Sequence, residues 1–447
     1  IQASFNNTVG TITDMNGAFA LDNVPSGAKT LVISYVGMKT KEVAIKSNLS
    51  ISLDSETAEL EEVVVTAMGI QRQAKALGYA TAKVNADELT AAKASDATAA
   101  LSGKVSGLQI NVGSGALDQQ TRIQLRGARS FKGDNGALLV LDGVQTPMNF
   151  LQTLNPNDID NISVLKGASA AALYGSEAAN GVLIVTTKSG QKGKPQFTYG
   201  YTITMNKAAY MPKLQHRFGS GHGNSAYGNI WNYDSKNSYM SIENQQFGPE
   251  FDGLEWTTGT PLEALDGEYR KIMYTDLGED SRWSYYKTGW AHQHDISYSA
   301  SDDRGSMYLS YQRLDQSSTV PGDKTSRQTV RFNASRNFKN LTVSAKINYT
   351  HSNFDLSNSS GSAMYTLLQV PSNYWVADFQ NWANGDDGKG NSPNEYFSDY
   401  SENPYFTLDT NRRSTRQDRV SGNIDATFKA TKWLKFVARA GLNIGTN

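Results

Sequence analysis

The sequence has 447 residues, with 42 basic and 43 acidic side chains and a formal net charge of −1 at pH 7. That length predicts two or three folding units, and the balanced charge offers no basic face for a nucleic acid. The absence of cysteine excludes a disulfide scaffold and thiolate metal sites, and it is compatible with an oxidising compartment. No apolar run approaches the ~20 residues of a spanning helix. Strands that alternate in polarity can nevertheless cross a membrane at low mean hydropathy.

Residues 1–56 contain short alternating runs separated by turn residues such as Asn16-Gly17. Alternating runs that are interrupted by glycine, proline or asparagine predict short antiparallel strands. The segment is therefore predicted to be a small β-sandwich, and it shows no catalytic pattern, which indicates an accessory module. The chain starts at Ile1 without a methionine, which predicts a mature or trimmed start.

Residues 57–75 form a linker around the run Glu61-Glu62-Val63-Val64-Val65-Thr66-Ala67. Three consecutive valines and a threonine strongly favour extended backbone. Because polar segments flank the run, it is suited to adding itself as a strand to the sheet edge of another protein. The alternative is an ordinary short strand of a local sheet, and the neighbouring domains decide between the two interpretations.

Residues 76–194 mix helix and strand signals, which predicts a compact α+β domain. Asp96 is placed to cap a helix that Gly103 ends. The runs 105–110, 121–127 and 137–141 alternate or are apolar as strands do. The apolar run 182–185 closes the domain.

Residues 195–447 change to long stretches with apolar side chains at every second position. We predict seven strands at 196–205, 291–300, 306–313, 328–336, 341–349, 420–428 and 434–444. Roughly ten residues is the length with which a tilted strand crosses a bilayer.

The connections between these strands alternate in length. Those at 207–290, 314–327 and 350–418 are long, whereas the turns at 301–305, 338–340 and 430–432 are short. Long external loops and short periplasmic turns are typical of outer-membrane barrels. Bacterial barrels of this kind have an even number of strands, and the chain stops within an alternating stretch, so the sequence is expected to be a fragment of a longer protein.

Residues 158–189, DIDNISVLKGASAAALYGSEAANGVLIVTTKS, closely resemble the signature of SusC-type (SusC/RagA family) TonB-dependent outer-membrane transporters of Bacteroidota. The segments Leu125-Arg126-Gly127 and 139–144 are similar to that family too, as is the order of the modules. Glu177 departs from the pattern, since the family commonly has arginine there, and this puts in doubt an ionic lock that involves this position. The signature positions are Arg126, Gly127, Asp142, Gly143, Lys166, Gly167, Tyr174, Gly175, Asn180 and Gly181.

The resemblance implies a mainly β fold with four parts. These are a carboxypeptidase-regulatory-like β-sandwich extension at 1–56, a TonB box and linker at 57–75, an α+β plug domain at 76–194, and the first strands of a large antiparallel transmembrane barrel at 195–447, with long external loops 207–290 and 350–418. The full barrel is expected to have about 22 strands. The box is then Glu61, Glu62, Val63, Val64, Val65, Thr66 and Ala67.

The same resemblance implies a location and partners. The barrel lies in the bacterial outer membrane in contact with its lipid, and the extension and TonB box lie in the periplasm. TonB, with its ExbB/ExbD energising complex, grips the box, and a SusD-like surface lipoprotein forms a lid. Two transporter–lipoprotein pairs can associate as a dimer. No nucleic acid, catalytic residue or cofactor is implied, so the protein is expected not to be an enzyme.

The implied activity is active import of oligosaccharides, with oligopeptides as the alternative cargo of the same machinery. A surface receptor or adhesin that does not transport is a less favoured alternative, and a secreted enzyme would leave the loop asymmetry unexplained. Aromatic rings in the loops either stack on cargo or a partner, or build the loops' own cores. Candidates for cargo or partner contact are Trp231, Tyr233, Trp256, Trp375 and Trp382.

Metal sites are weakly indicated. His292 and His294 share one face of a strand without an evident third ligand, which favours a place in the barrel wall. Asp386-Asp387-Gly388 lacks the EF-hand spacing, and an incidental structural calcium in the external loops is the alternative.

Overall fold

The computed structural model describes residues 2–3, 10–14, 17–24, 27–28, 30–35, 38–53, 63–65, 71–73, 81–111, 117, 121–128, 130–131, 135–166, 168–191, 193–221, 239–358 and 363–446. The chain divides into two compact units. The first comprises residues 1–66 and 70–78, and the second comprises residues 67–69 and 79–447. Among the described residues, no helix has the length and apolar character needed to span a membrane.

The first unit contains a three-stranded antiparallel sheet and a two-stranded ribbon. The sheet has the order β1-β2-β3. Leu31 and Ile33 point into its core, where Leu49, Ile51 and Leu53 pack against them. The segment 49–53 alternates in polarity but forms no strand, and its apolar side chains face the core. The strands are β1 (Gln2–Ala3), β2 (Thr30–Tyr35), β3 (Met38–Ala44), β4 (Val63–Val65) and β5 (Gln71–Gln73).

The second unit begins with the predicted plug, an α+β domain around a five-stranded sheet of order β10-β9-β12-β11-β6. Helix α2 begins as predicted, because the Asp96 carboxylate accepts hydrogen bonds from the N–H groups of Thr98 and Ala99, both at 2.9 Å. Leu139, Ile162 and Leu183 are buried in one core that spans sheet and helices. The elements are β6 (Thr81–Asn85), α1 (Ala86–Thr90), α2 (Ala97–Leu101), β7 (Leu108–Asn111), β8 (Arg122–Leu125), β9 (Leu138–Leu141), β10 (Val144–Thr146), β11 (Ile159–Leu165), α3 (Ala168–Tyr174) and β12 (Val182–Thr187), with 3-10 helices at Met148–Thr153, Pro156–Asp158 and Ser176–Ala178.

A seven-stranded antiparallel sheet follows, in the order β13-β16-β17-β18-β19-β20-β21. All seven predicted strands are therefore present, and the turns predicted to be short join neighbouring strands. The remaining elements are β13 (Gln196–Asn206), β14 (Glu255–Leu262), β15 (Glu268–Met273), α4 (Asp280–Trp283), β16 (Gly289–Asp302), β17 (Gly305–Ser317), β18 (Lys324–Phe338), β19 (Leu341–Ser357), α5 (Ala363–Leu368), α6 (Pro404–Thr410), β20 (Arg412–Lys429) and β21 (Lys435–Thr446), with 3-10 helices at Glu263–Leu265, Val376–Asn384 and Pro393–Glu395.

Several strands are longer than predicted at the end nearest the long loops. β19 runs on to Ser357 rather than 349, and β20 begins at Arg412 rather than 420. The added residues 412–419 are almost all polar, so apolar alternation could not reveal them. A strand with polar side chains on both faces keeps its backbone pairing, although its sequence shows no alternation of apolar and polar residues.

The two faces of the sheet differ in chemistry. Side chains such as Phe332, Ala334, Ile347 and Ile424 point outward and build an apolar face. The opposite, inward face is polar: the side chains of Arg331, Asn333 and their neighbours lie buried under the plug. A membrane-spanning barrel wall has this arrangement, apolar outside and polar inside.

A row of polar side chains ends the apolar face on the side of the long loops. His294, Arg313, Gln328, His351 and Asp418 follow one another in register across five neighbouring strands. His351 Nδ1 lies 2.8 Å from a carboxylate oxygen of Asp418. We call this set the polar row. The polar row therefore marks the end of the apolar face at the same height on all five strands.

The two long loops pack together above the sheet. Their shared core contains Tyr285 from the first loop and Leu367, Val370, Phe397 and Tyr405 from the other. Backbone contacts join them as well, since the N–H of Leu277 donates to the carbonyl of Ser372 at 2.9 Å. The described parts of the two loops thus form one folded body, which we call the external unit.

Candidate functional site

Asp142 is the point where the plug is held most strongly to the sheet. It follows β9, in a turn where Asp142 and Gly143 both have positive φ. A carboxylate oxygen of Asp142 accepts a 2.6 Å hydrogen bond from Nζ of Lys346, on β19. Within the plug, the backbone N–H and the hydroxyl of Thr187 donate to the same carboxylate at 3.1 and 2.8 Å. The turn therefore presents a fixed negative charge to the seven-stranded sheet, which we call the wall.

Arg331 of β18 lies between two plug carboxylates. Its guanidinium nitrogens are 3.6 Å from Asp142 Oδ2 and 3.7 Å from Asp158 Oδ2. The side chains of all three residues are no more than 4% exposed. Tyr308 of β17 donates its hydroxyl to Asp158 at 2.9 Å. We call Asp142, Asp158, Arg331 and Lys346 the anchor.

The two carboxylates of the anchor differ in their electrostatic balance. Burial raises the pKa of Asp142, but the charges of Lys346 and Arg331 outweigh that effect and hold the pKa below its usual value. For Asp158, burial is the largest influence and Arg331 offsets it only in part, so its pKa is raised. Asp142 is thus stabilised as an anion, whereas the charge on Asp158 carries a net cost.

Further polar contacts extend from the anchor along the wall. Arg327, buried on β18, donates to the carbonyls of Gln152 and Ser95 of the plug at 2.8 and 2.6 Å. Asn333 donates to the Thr187 hydroxyl at 2.9 Å. Beyond β19, Asn443 of β21 donates to the carbonyl of Gln145 at 2.9 Å. Polar contacts therefore hold this side of the plug on the wall.

The other signature residues serve the plug's own turns. Arg126 and Gly127 adopt positive φ, and the N–H of Arg126 donates to the carbonyl of Gly107 at 2.9 Å. Lys166 Nζ donates to the carbonyl of Ser106 at 2.7 Å. Tyr174 ends α3, Gly175 has φ 82°, and Asn180 precedes Gly181. Gly167 lies outside the described residues.

Gly181 is needed for close packing. Its φ is +100°, and a Cβ there would stand 2.4 Å from Leu125 Cδ1 and 3.0 Å from the carbonyl oxygen of Leu165. Glu177, where the family pattern has arginine, is exposed on the 3-10 turn Ser176–Ala178 and has no ion-pair partner among the described residues. The ion pairs that hold the plug are instead formed by the anchor.

The predicted TonB box lies partly within the described residues. Val63–Val65 form β4, which pairs antiparallel with β5, with Val64 opposite Arg72. Glu61, Glu62, Thr66 and Ala67 lie outside the described residues. In a two-stranded ribbon one edge of each strand has no neighbour in that sheet, and such an edge can accept a further strand. The assignment as a TonB box stays a prediction.

The candidate aromatic residues differ in exposure. Trp256 stacks on Tyr274 at 4.6 Å between ring centroids, and Trp382 meets Phe406 edge-on at 5.1 Å. Trp375 is 38% exposed. Trp231 and Tyr233 fall outside the described residues. Trp256 and Trp382 thus help to build the external unit, and Trp375 offers the most accessible ring of the three.

The two histidines lie in the outward face of the wall. The Tyr201 and Tyr199 hydroxyls lie 2.8 and 3.0 Å from Nδ1 of His292 and His294, respectively. The acidic turn Asp386-Asp387-Gly388 forms an ion pair within its own loop, because a carboxylate oxygen of Asp387 lies 2.7 Å from Lys389 Nζ. Within the described parts of the chain, no group of three or more histidine or acidic side chains is arranged to hold a metal ion.

Sequence patterns identified Asp142 but not its partners. Asp158 lies within the signature stretch, yet only the fold shows that its side chain meets the wall. Arg331 and Lys346 occupy inward positions of predicted strands, where a charged side chain within a membrane-crossing length is itself a signal for a buried partner. The partners are about 200 residues apart in sequence, and local patterns do not encode such pairings.

Comparison with known proteins agrees with this architecture. Residues 73–182 match the TonB-dependent Receptor Plug Domain, and residues 4–65 match the CarboxypepD_reg-like domain. The TonB-dependent receptor P39 of Formosa agariphila is 37% identical over 199 residues, which cover 44% of this chain and 19% of that receptor. The TonB-dependent receptor SusC of Bacteroides thetaiotaomicron is 34% identical over 208 residues, or 45% of this chain and 20% of that receptor.

A solved structure shares the fold. The RagAB peptide importer in its open-open state superposes with a TM-score of 0.63 at 22% sequence identity, covering 86% of this chain and 42% of that chain. The family matches and the curated relatives support a SusC-type TonB-dependent receptor. The relatives themselves are receptors rather than enzymes. The matched region spans about a fifth of the length of the curated relatives.

Proposed function

We propose that the protein is an outer-membrane active importer of oligosaccharides, driven by TonB through residues 61–67. The observation that carries this proposal is the anchor: a separate domain lies on the polar inner face of the wall and is held there by buried ion pairs. Cargo can pass only when that domain moves. No nucleotide supply exists at the outer membrane, so mechanical work through a strand partner is the fitting source of energy.

We further propose that a SusD-like lipoprotein covers the external unit. The relation to SusC and the fold shared with RagAB support such a partner. The external unit supplies a folded surface for it, because its own core fixes the loops. Co-purification from the native outer membrane, followed by mass spectrometry of the bound lipoprotein and cargo, tests this part. A receptor that purifies alone and empty would contradict it.

The membrane position proposed for the wall can be tested by charge substitution on one strand. Ala334 and Gln328 both point outward from β18, Ala334 in the apolar face and Gln328 in the polar row. We expect Ala334→Lys to destabilise the barrel by about 2–4 kcal/mol and Gln328→Lys by about 0–1 kcal/mol, because the cost of a charge depends on depth in the bilayer. Equilibrium unfolding from lipid vesicles measures both, and equal values would contradict the placement.

Trp375 is the most accessible of the described candidate residues for a cargo contact. We expect Trp375→Ala to weaken cargo binding about tenfold without loss of thermal stability, because a central aromatic contact is commonly worth more than 1 kcal/mol. The matched variant Trp382→Ala should instead lower stability, because this ring packs on Phe406 and its Nε1–H donates to Asp409 at 3.0 Å. Calorimetric titration with oligosaccharides and, separately, oligopeptides also distinguishes the two cargo classes.

A further inference from the structure

A cavity of about 390 Å³ separates the plug from the wall at β13, β16 and β17. Lys93, Lys188 and Asp158 line it from the plug, and Gly200 and Asp295 line it from the wall. Most of the other lining groups are hydroxyls and amides. Its size lies in the range of ligand pockets, and its polar lining makes it a hydrated space rather than an empty apolar void.

The neighbouring contact of the plug, at the anchor, is more closely packed. The pocket between Asp142 and the wall at β18–β21 has a volume of about 10 Å³. That volume has room for about one water molecule. Asn348, whose Oδ1 is buried without a hydrogen-bond partner among the described residues, lines this small space and is placed to hold that water. The plug is therefore more closely packed at the anchor than at the cavity, where it contacts β16 and β17 only in part.

Direct hydrogen bonds also join the plug to the wall beside the cavity. Asn155 Nδ2 donates to Asp295 at 2.8 Å, the N–H of Gln191 donates to the Ser299 hydroxyl at 3.1 Å, and the Tyr308 hydroxyl donates to Asp158 at 2.9 Å. None of these bonds joins two charged groups. Separation at the anchor would instead break buried ion pairs, and a buried charge that loses its partner is strongly unfavourable. Opening on the β13–β16 side is the less costly movement.

We propose that the cavity is a binding and passage site for a hydroxyl- and amide-bearing polar solute, on the side of the plug that opens first. This inference rests on the proposed import function, and it specifies the path of the solute between the plug and the wall. Two lysines and two aspartates balance the charge of the lining, which suits an uncharged or zwitterionic solute. Such a solute can donate hydrogen bonds to Asp158, which faces the cavity and also pairs with Arg331. Occupancy of the cavity thereby weakens one of the anchor's ion pairs.

These 447 residues contain no cysteine, so with any cysteine elsewhere in the receptor replaced by serine a single introduced thiol reports on its own surroundings. Gly200 points toward the cavity, and the nearest atom to a Cβ there is 3.9 Å away. Thr329 points inward on β18 and is 1% exposed, which makes it the matched control. In the full-length receptor in outer-membrane vesicles, a charged, membrane-impermeant thiol reagent should label Gly200→Cys at least about tenfold faster than Thr329→Cys. Equal rates would overturn the hydrated cavity.

A second measurement separates this inference from the import function. A bulky hydroxyl-rich adduct on Gly200→Cys should abolish uptake, while the unmodified variant folds normally, as judged by its heat-dependent mobility on gels. If the adduct leaves uptake intact while Val64→Pro abolishes it, the passage site is wrong and TonB-driven import stands. If Val64→Pro leaves uptake intact, the import function fails whatever the labelling rates are.

Discussion

Val64→Pro is expected to abolish cargo uptake while leaving the plug and the barrel folded. Proline has no N–H and therefore removes a donor from any ladder that a partner strand forms with Val63–Val65. A paired strand resists a pull along its axis because several hydrogen bonds must break together, and this substitution interrupts the ladder at its middle. Transport assays in cells, with surface levels of the receptor measured in parallel, give the result.

The control for this prediction lies in the same ribbon. Arg72 is the residue opposite Val64, so Arg72→Pro disturbs the local pairing of β4 with β5 from the other strand. We expect Arg72→Pro to retain most uptake, because the segment gripped by the partner is unchanged. Val64→Ile, which keeps the N–H and the β-branched shape, should behave as the wild type. Normal uptake by Val64→Pro would refute the assignment of the box.

Asp142→Asn is expected to have the largest effect on the hold of the plug, about 3–5 kcal/mol near neutral pH. The substitution leaves Lys346 and the buried Arg331 without their shared carboxylate, and a buried charge that loses its partner is strongly destabilising. Asp158→Asn should cost much less, because burial already disfavours its charge and an amide oxygen still accepts the Tyr308 hydroxyl. Urea titration of the purified full-length receptor, monitored by limited proteolysis of the plug, compares them.

The pH dependence of the two variants should have opposite signs. The pKa of Asp142 is lowered in the folded protein, so its contribution is present above the unfolded value near 3.8 and is lost as pH falls through the folded pKa. The pKa of Asp158 is raised, so its effect is most favourable below 3.8 and is lost as pH rises through the folded pKa. Asp142→Asn should therefore lose its penalty toward acid pH, and Asp158→Asn should not. Parallel profiles for the two variants would contradict this description of the anchor.

Most strands of the wall could be predicted from the sequence, because the alternation of apolar and polar side chains is a pattern among neighbouring residues. A strand that faces lipid on one side and water or a plug on the other must alternate, and the segments 330–334 and 341–349 do so. Where both faces are polar, the alternation of apolar and polar residues disappears. The sequence therefore does not predict the first residues of β20. The turn at Gly143 and the tight contact at Gly181 follow from backbone geometry that only glycine adopts without strain.

The sequence alone determined the order of modules, the seven strands and the position of the valine run, since each depends on neighbouring residues in the chain. The tertiary structure decided the pairings, which are Asp142 with Lys346 and both aspartates with Arg331. These contacts join segments about 170–200 residues apart, and their energies depend on burial that no local pattern records. The plug's hold on the wall therefore follows from the fold.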